Sequence, residues 1–187
     1  MSSLSNFVKR LRDIMRNDAG VNGDAQRIEQ IAWILFLKVY AQKEEDWELG
    51  ETDYQSIIPE PCRWENWADN SDGHAMTGDK LLDFVNNTLF PVLKGMDIKD
   101  ADGNILIPGV RVTPETPIQK AIVQTTFADA NNYMKDGVLL RQVIDRMACS
   151  QKQGNERIKK RRREKRKNPP HDGLIKILWY DFSQNRA

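Results

Sequence analysis

Apolar positions in the first fifteen residues recur at helical spacing. Leu4, Phe7, Val8, Leu11, Ile14 and Met15 are separated by ones, threes and fours, one stripe of an amphipathic helix. Ser2 or Ser3 is placed to cap it, and Asn17-Asp18-Ala19-Gly20 followed by Asn22-Gly23 breaks it. The spacing predicts a second helix from about Asp24 to Glu45. Its centre, Ile31 to Leu37, is apolar all round, so it is expected to be the buried central helix. Its far end, Lys43 to Glu48, is charged, and the adjacent acids Glu44 and Glu45 are expected to be solvated.

Leu49 to Thr77 reads as a long loop with Gly50, Pro59, Pro61 and Gly73 in it. Tyr54, Trp64 and Trp67 lie within this stretch and Trp47 just before it. Aromatics this dense in irregular chain are expected to anchor the loop on the core; the alternative is a partner surface. A third helix is predicted over Lys80 to Leu93, capped by Asp79, with Leu81, Leu82, Val85, Leu89 and Val92 inward. Pro91 is expected to kink or end it. Asp102-Gly103 signals a turn, and Ile105, Ile107, Val110 and Val112 flank Pro108-Gly109 in what reads as a marginal hairpin. Thr116-Pro117 is a helix start for a fourth stripe of Ile118, Ile122, Phe127, Ala130 and Tyr133. After Asp136-Gly137 comes a fifth helix, Val138 to Met147, with Leu139, Leu140, Val143, Ile144 and Met147 inward. The class is all-α: a helical bundle of about five helices with a long aromatic-rich loop.

Charge divides the chain near Met147. Between Lys152 and Lys167 there are ten Lys/Arg against Glu156 and Glu164, while the whole chain is only +1, so the part before this run is acidic. Two regions are therefore expected: a body over residues 1–147, and a basic tail over residues 148–187 that is disordered, since like charges repel and bury nothing. Cys62 and Cys149 make no disulfide framework, and with His74 and His171 they give no metal spacing. No apolar run approaches the roughly 20 residues of a membrane span. The start lacks an apolar signal core, so a cytoplasmic location is the expectation.

Several stretches have a more specific wording. Leu4-Ser-Asn-Phe-Val-Lys-Arg-Leu-Arg-Asp-Ile-Met-Arg and Gly23-Asp-Ala-Gln-Arg-Ile-Glu-Gln-Ile-Ala-Trp-Ile-Leu-Phe-Leu-Lys resemble the start of the modification (M) subunit of type I restriction–modification systems. Cys62-Arg-Trp-Glu-Asn-Trp-Ala, Gly78-Asp-Lys-Leu-Leu-Asp-Phe-Val-Asn-Asn-Thr-Leu-Phe-Pro, Ala121-Ile-Val-Gln-Thr-Thr-Phe-Ala-Asp-Ala-Asn-Asn-Tyr-Met and Gly137-Val-Leu-Leu-Arg-Gln-Val-Ile-Asp follow in the same order. The resemblance covers residues 4 to about 147. It implies a subunit of an S-adenosylmethionine-dependent adenine-N6 DNA methyltransferase, working as two M subunits with one specificity (S) subunit, and with the R subunit in the full complex. It also implies that this helical region closes the complex around DNA and contacts neighbouring subunits, while the chemistry belongs to a following Rossmann-like domain.

That domain's signatures are not found after Met147. A cofactor loop needs closely spaced glycines after a strand, and the later glycines are Gly154 and Gly173. Asn168-Pro169-Pro170-His171 has the outline of an adenine-binding loop, but it has His where a stacking Phe or Tyr belongs and follows a basic run. It reads as a stiff linker. The expectation is an M-subunit N-terminal domain, truncated or frameshifted after about Met147 and inactive alone, with no catalytic, cofactor or metal residues of its own. The alternative is a stand-alone helical module whose basic tail binds nucleic acid nonspecifically. Within the body, the candidates for DNA contact are Lys9, Arg12 and Arg16, which share one face of the first helix, with Arg27 and Lys38 as weaker ones.

Overall fold

The computed structural model describes residues 3–48, 54–70, 73 and 75–148. The tail expected to be disordered, the Asn168–His171 outline and the cap Ser2 lie outside the described residues. The chain divides into two units, Met1–Cys149 and Ser150–Ala187, and the architecture below is that of the first.

The protein is mostly helical. Helix α1 spans Ser3–Met15 and α2 spans Asp24–Glu48. A 3-10 turn, Glu60–Cys62, and a short helix α3, Trp64–Trp67, follow. Helix α4, Gly78–Phe84, runs into a π turn, Val85–Leu89, and then α5, Phe90–Leu93. Strands β1, Ile98–Lys99, and β2, Ile105–Ile107, pair antiparallel with Ile98 opposite Ile107. Helix α6 spans Ile118–Phe127, and α7 covers residues 137–148.

The α1 stripe packs through Leu11 and Met15, both buried, while Leu4 at its open end is exposed. In α2, Trp33, Ile34, Leu37 and Tyr40 form the inward face. The expected all-round burial of Ile31–Leu37 is corrected here: Leu35 is 45% exposed, and Ala32 is exposed beside it. Apolar residues on every side of a helix make it a buried one only if neighbours cover every side, and no described element covers this one.

The loop aromatics anchor the segment, as their density suggested. Trp67 is buried, stacks 6.5 Å from Trp33 and meets Phe84 at 5.9 Å. Trp33 also meets Phe90 edge-on at 5.2 Å, and Phe127 packs on Phe90 at 5.4 Å and on Phe36 at 5.9 Å. One aromatic cluster thus joins α2, α3, α5 and α6. Edge-to-face pairs of this kind add about 0.5–1.5 kcal/mol each beyond area burial.

Helical structure continues through Pro91 to Leu93, and a π turn precedes it. The Phe90 N–H bonds the Val85 carbonyl five residues back, which lets Pro91 begin a new turn where a missing N–H costs nothing. The stop comes at Gly95, φ +93, where Gly95 N–H donates to Val92 O and Met96 N–H to Pro91 O, the Schellman pattern. At the other end Thr77, not Asp79, holds the N-cap position.

The hairpin turns at Asp102-Gly103, with Gly103 at φ +85, not at Pro108-Gly109. Asp100 explains the choice: its carboxylate accepts from the backbone N–H of Asp102 and Asn104 and pre-forms the turn. Helix α6 is rotated from expectation. Val123 and Phe127 are buried, whereas Ile118 and Ile122 are 80% and 48% exposed. Ala130 and Tyr133 follow the helix in irregular chain, and Thr116 closes the preceding turn by accepting from Thr113 N–H. Helix α7 buries Leu140, Val143, Ile144 and Met147 as its stripe predicts, and Asp136 caps it by accepting from the N–H of Val138 and Leu139.

Candidate functional site

Lys9 and Arg12 stand on α1 and Arg16 follows its last residue, with its N–H donating to Arg12 O, and the fold gives the three different surroundings. Lys9 is exposed and has no ion pair among the described residues. Arg12 is half-buried, with Nη2 2.6 Å from Asp24 Oδ1 at the start of α2. Arg16 is exposed and reaches back 3.0 Å to Asp13. Arg27 joins Asp24 at 2.9 Å. Arg12 first, and then Arg27, hold the Asp24 carboxyl below the usual carboxylate range. Three of these cations, Arg12, Arg16 and Arg27, thus face two acids, Asp13 and Asp24. Exposed pairs of this kind contribute little to stability, so a phosphate can compete for the same guanidinium groups.

Other charges are structural. Lys38 is buried, and its ammonium donates to the carbonyls of Met147 and Ala148 at the end of α7. It caps a helix and has no access to a phosphate. Arg141, on α7, is 5% exposed and donates to the carbonyls of Ala68 at 2.6 Å, Trp67 at 3.2 Å and Met76 at 3.4 Å. Its Nε lies 3.0 Å from Asp145 Oδ1, and burial lowers its pKa from the ordinary guanidinium value. Asp18 is buried between α1 and α2 and accepts from the backbone N–H of Gly20, Lys135 and Asp136. It fastens the first interhelical loop to the entry of α7, and the sequence offered no sign of that beyond an Asp in a turn.

Glu44 corrects an expectation directly. It is buried, not solvated, and accepts from Tyr54 Oη at 2.7 Å and Ser56 Oγ at 2.5 Å. Burial raises its pKa above the usual carboxylate range despite both hydroxyl donors. Tyr54 in turn carries Lys120 Nζ 4.1 Å over its ring, and the same ammonium donates to Gln55 O. The cluster pins the segment after α2 against the helix and against α6. Cys62 is buried, which pushes its thiol up to about 12, so it packs as an apolar group.

Among the described residues no group of three or more His, Cys, Asp or Glu is placed to hold a metal ion. No described helix is long and apolar enough to cross a membrane. What the described surface offers is a cationic helix face and several uncovered apolar positions, a surface for contact.

Residues 4–147 match the family described as HsdM N-terminal domain. The methylase subunit of the type I restriction enzyme EcoEI from Escherichia coli is 46% identical over 149 residues, covering 78% of this chain and 26% of that protein. A crystal structure of a modification subunit of a putative type I restriction enzyme from Vibrio vulnificus YJ016 superposes with a TM-score of 0.61 at 27% identity, covering 91% of this chain and 36% of that one. A chain from a structural study of complex assembly and conformational transition in the type I R-M system gives a TM-score of 0.59, also at 27% identity, over 79% of this chain and 26% of that one. The chain therefore spans about a quarter of the length of the curated relative that it matches.

Proposed function

The chain belongs to the HsdM N-terminal domain family, and from that premise we propose that it is the non-catalytic helical module of a type I restriction–modification methylase subunit, which holds DNA and packs against the specificity subunit and a second methylase subunit. The observation that carries the reading is the family match over residues 4–147, nearly all of the first unit. The α1 face of Lys9, Arg12 and Arg16 supplies the DNA contact, through phosphates and without base readout.

S-adenosylmethionine, the cofactor the family implies, does not fit the described residues. Their strands are the two of one short antiparallel hairpin, and no glycine loop leads from a strand into a helix. Adenine-N6 methyl transfer is accordingly assigned to the remainder of the longer relatives.

The test is fluorescence anisotropy of a labelled duplex with the full chain, comparing wild type with Lys9→Glu/Arg12→Glu/Arg16→Glu across a salt series. Weakened binding with a shallower salt dependence supports the α1 face. Unchanged binding that stays steeply salt-dependent transfers the role to the cations between Lys152 and Lys167, the second reading. Co-purification of the same triple variant with a specificity subunit separates assembly from DNA contact. Failure of the wild-type chain to co-purify removes the assembly role.

A further inference from the structure

Two of the stretches that carry the family resemblance meet at a pocket that the reading above does not use. It has a volume of about 230 Å³ and lies open to solvent between the π turn, α5 and the chain before α7. Phe90, Pro91 and Met96 form its apolar wall, and Asn86, Lys94, Asn132 and Asn131, whose amide donates to Asp129 O, its polar one. Asn86 stands within the π turn, a helix irregularity that recurs at functional sites.

The hydrogen bonds decide what the polar wall can accept. Asn132 Nδ2 donates to Asn86 Oδ1 at 2.9 Å and to Met134 O at 3.2 Å, while Asn132 Oδ1 accepts from Met134 N–H. Each of those oxygens thus already accepts one hydrogen bond. Two donors remain without a hydrogen-bond partner among the described residues: Asn86 Nδ2 and the Lys94 ammonium, which lies 6.0 Å over the Phe90 ring. The carbonyls at the end of α5 are engaged as well. Those of Phe90, Pro91 and Val92 are bonded by the N–H groups of Lys94, Met96 and Gly95. A nucleobase edge asks for acceptors as well as donors, so this wall suits an anion whose oxygens only accept, attached to an apolar body that covers Pro91 and Met96.

We propose that this pocket seats one phosphodiester of a DNA strand, with Lys94 and Asn86 on the phosphate oxygens and the sugar against Pro91 and Met96. The proposal rests on the reading that this domain holds DNA. It adds a second contact region, contributed by the π turn and α5, to the α1 face.

The duplex titration of the full chain tests it, with Lys94→Ala, Asn86→Asp and, as a control, Lys43→Ala on the acidic end of α2. Lys94→Ala is expected to weaken binding several-fold and to lower the slope of log affinity against log salt by about 0.9, one phosphate contact. Asn86→Asp keeps the oxygen that accepts from Asn132 and sets a carboxylate toward the phosphate, so it is expected to weaken binding at least as much. Lys43→Ala is expected to leave the slope unchanged. If both pocket variants bind as wild type does while the α1 triple variant is weakened, the pocket proposal falls and the DNA-holding reading stands. If the wild-type chain does not bind duplex, both fall. A protein carboxylate as occupant would show as a shift of the Lys94 ammonium NMR signal with acetate but not with dimethyl phosphate at equal ionic strength, and that result overturns the proposal.

Discussion

Arg141 Nη2 sits 2.6 Å from the carbonyl oxygen of Ala68, seventy-three residues earlier in the chain. With Trp67 O also bonded, the guanidinium closes the C-terminal end of α3, where helix carbonyls lack internal partners and the dipole favours a cation. The short Trp64–Trp67 helix has too few residues to stand by propensity, and this clamp holds it against the Trp33–Phe90 cluster.

Arg141→Met follows from that contact as a first prediction. Methionine fills much of the volume but leaves two buried carbonyls without donors, so a loss of about 2–4 kcal/mol is expected. Urea unfolding followed by circular dichroism measures it. A midpoint equal to wild type would mean that water reaches those carbonyls and the clamp is dispensable.

Gly137→Ala should be as damaging for a different reason. A Cβ at 137 would lie 1.9 Å from the Gly78 carbonyl oxygen, backbone against backbone, with no flexible side chain to yield. Gly78 itself stands at φ +59 and opens α4, so it cannot readily move to make room. The expected cost is about 2–4 kcal/mol, read as a lower thermal midpoint. Gly23→Ala, where a Cβ meets nothing within 4 Å, is the matched control.

Glu44 carries the pH prediction. Burial, the largest cause, raises its pKa in the fold, so the native state holds that proton more tightly than the unfolded chain does. The contribution to stability is complete below the unfolded carboxylate value of about 4.3 and is lost as pH rises through the folded value. Glu44→Gln removes the buried charge and retains an acceptor for Tyr54 and Ser56. The variant is expected to equal wild type in thermal midpoint near pH 4.5 and to exceed it at pH 7.5. A constant difference across that range would show that Glu44 titrates normally.

How much of this could be read from the chain depends on the range of the interaction. The α7 stripe Leu140, Val143, Ile144, Met147 was legible because one helix's own periodicity encodes it. The shared face of Lys9, Arg12 and Arg16 was legible for the same reason. The pairing of Arg12 with Asp24 was not, because it depends on how α2 leaves the Asn22-Gly23 turn. Burial of Glu44 requires Tyr54 and Ser56 to fold back onto α2, and nothing in the alternation of polar and apolar residues there announces it. The exposed Ile118 and Ile122 show the converse: an apolar residue at helical spacing faces the core only if the helix is set down in that rotation. The pocket beside the π turn escaped for the same reason, since its donors are left over only after Asn86 and Asn132 have found each other.

Asp18 gives the last prediction. Its two carboxylate oxygens accept from three backbone N–H groups, at 2.7 Å from Gly20 and at 2.9–3.1 Å from Lys135 and Asp136. Asp18→Asn is nearly isosteric, but one oxygen becomes an amino group that faces an N–H donor instead of accepting from it. Asp18→Ala removes all three acceptor contacts and leaves the N–H groups to water where water can enter. If charge and acceptor capacity hold the α7 entry in place, Asn should cost nearly as much as Ala, about 2 kcal/mol or more, and amide exchange at Lys135 and Asp136 should accelerate in both variants. If side-chain volume were the reason for Asp18, Asn would behave as wild type. A stable Asn variant with protected Lys135 and Asp136 amides would therefore overturn the fastening role assigned to this residue.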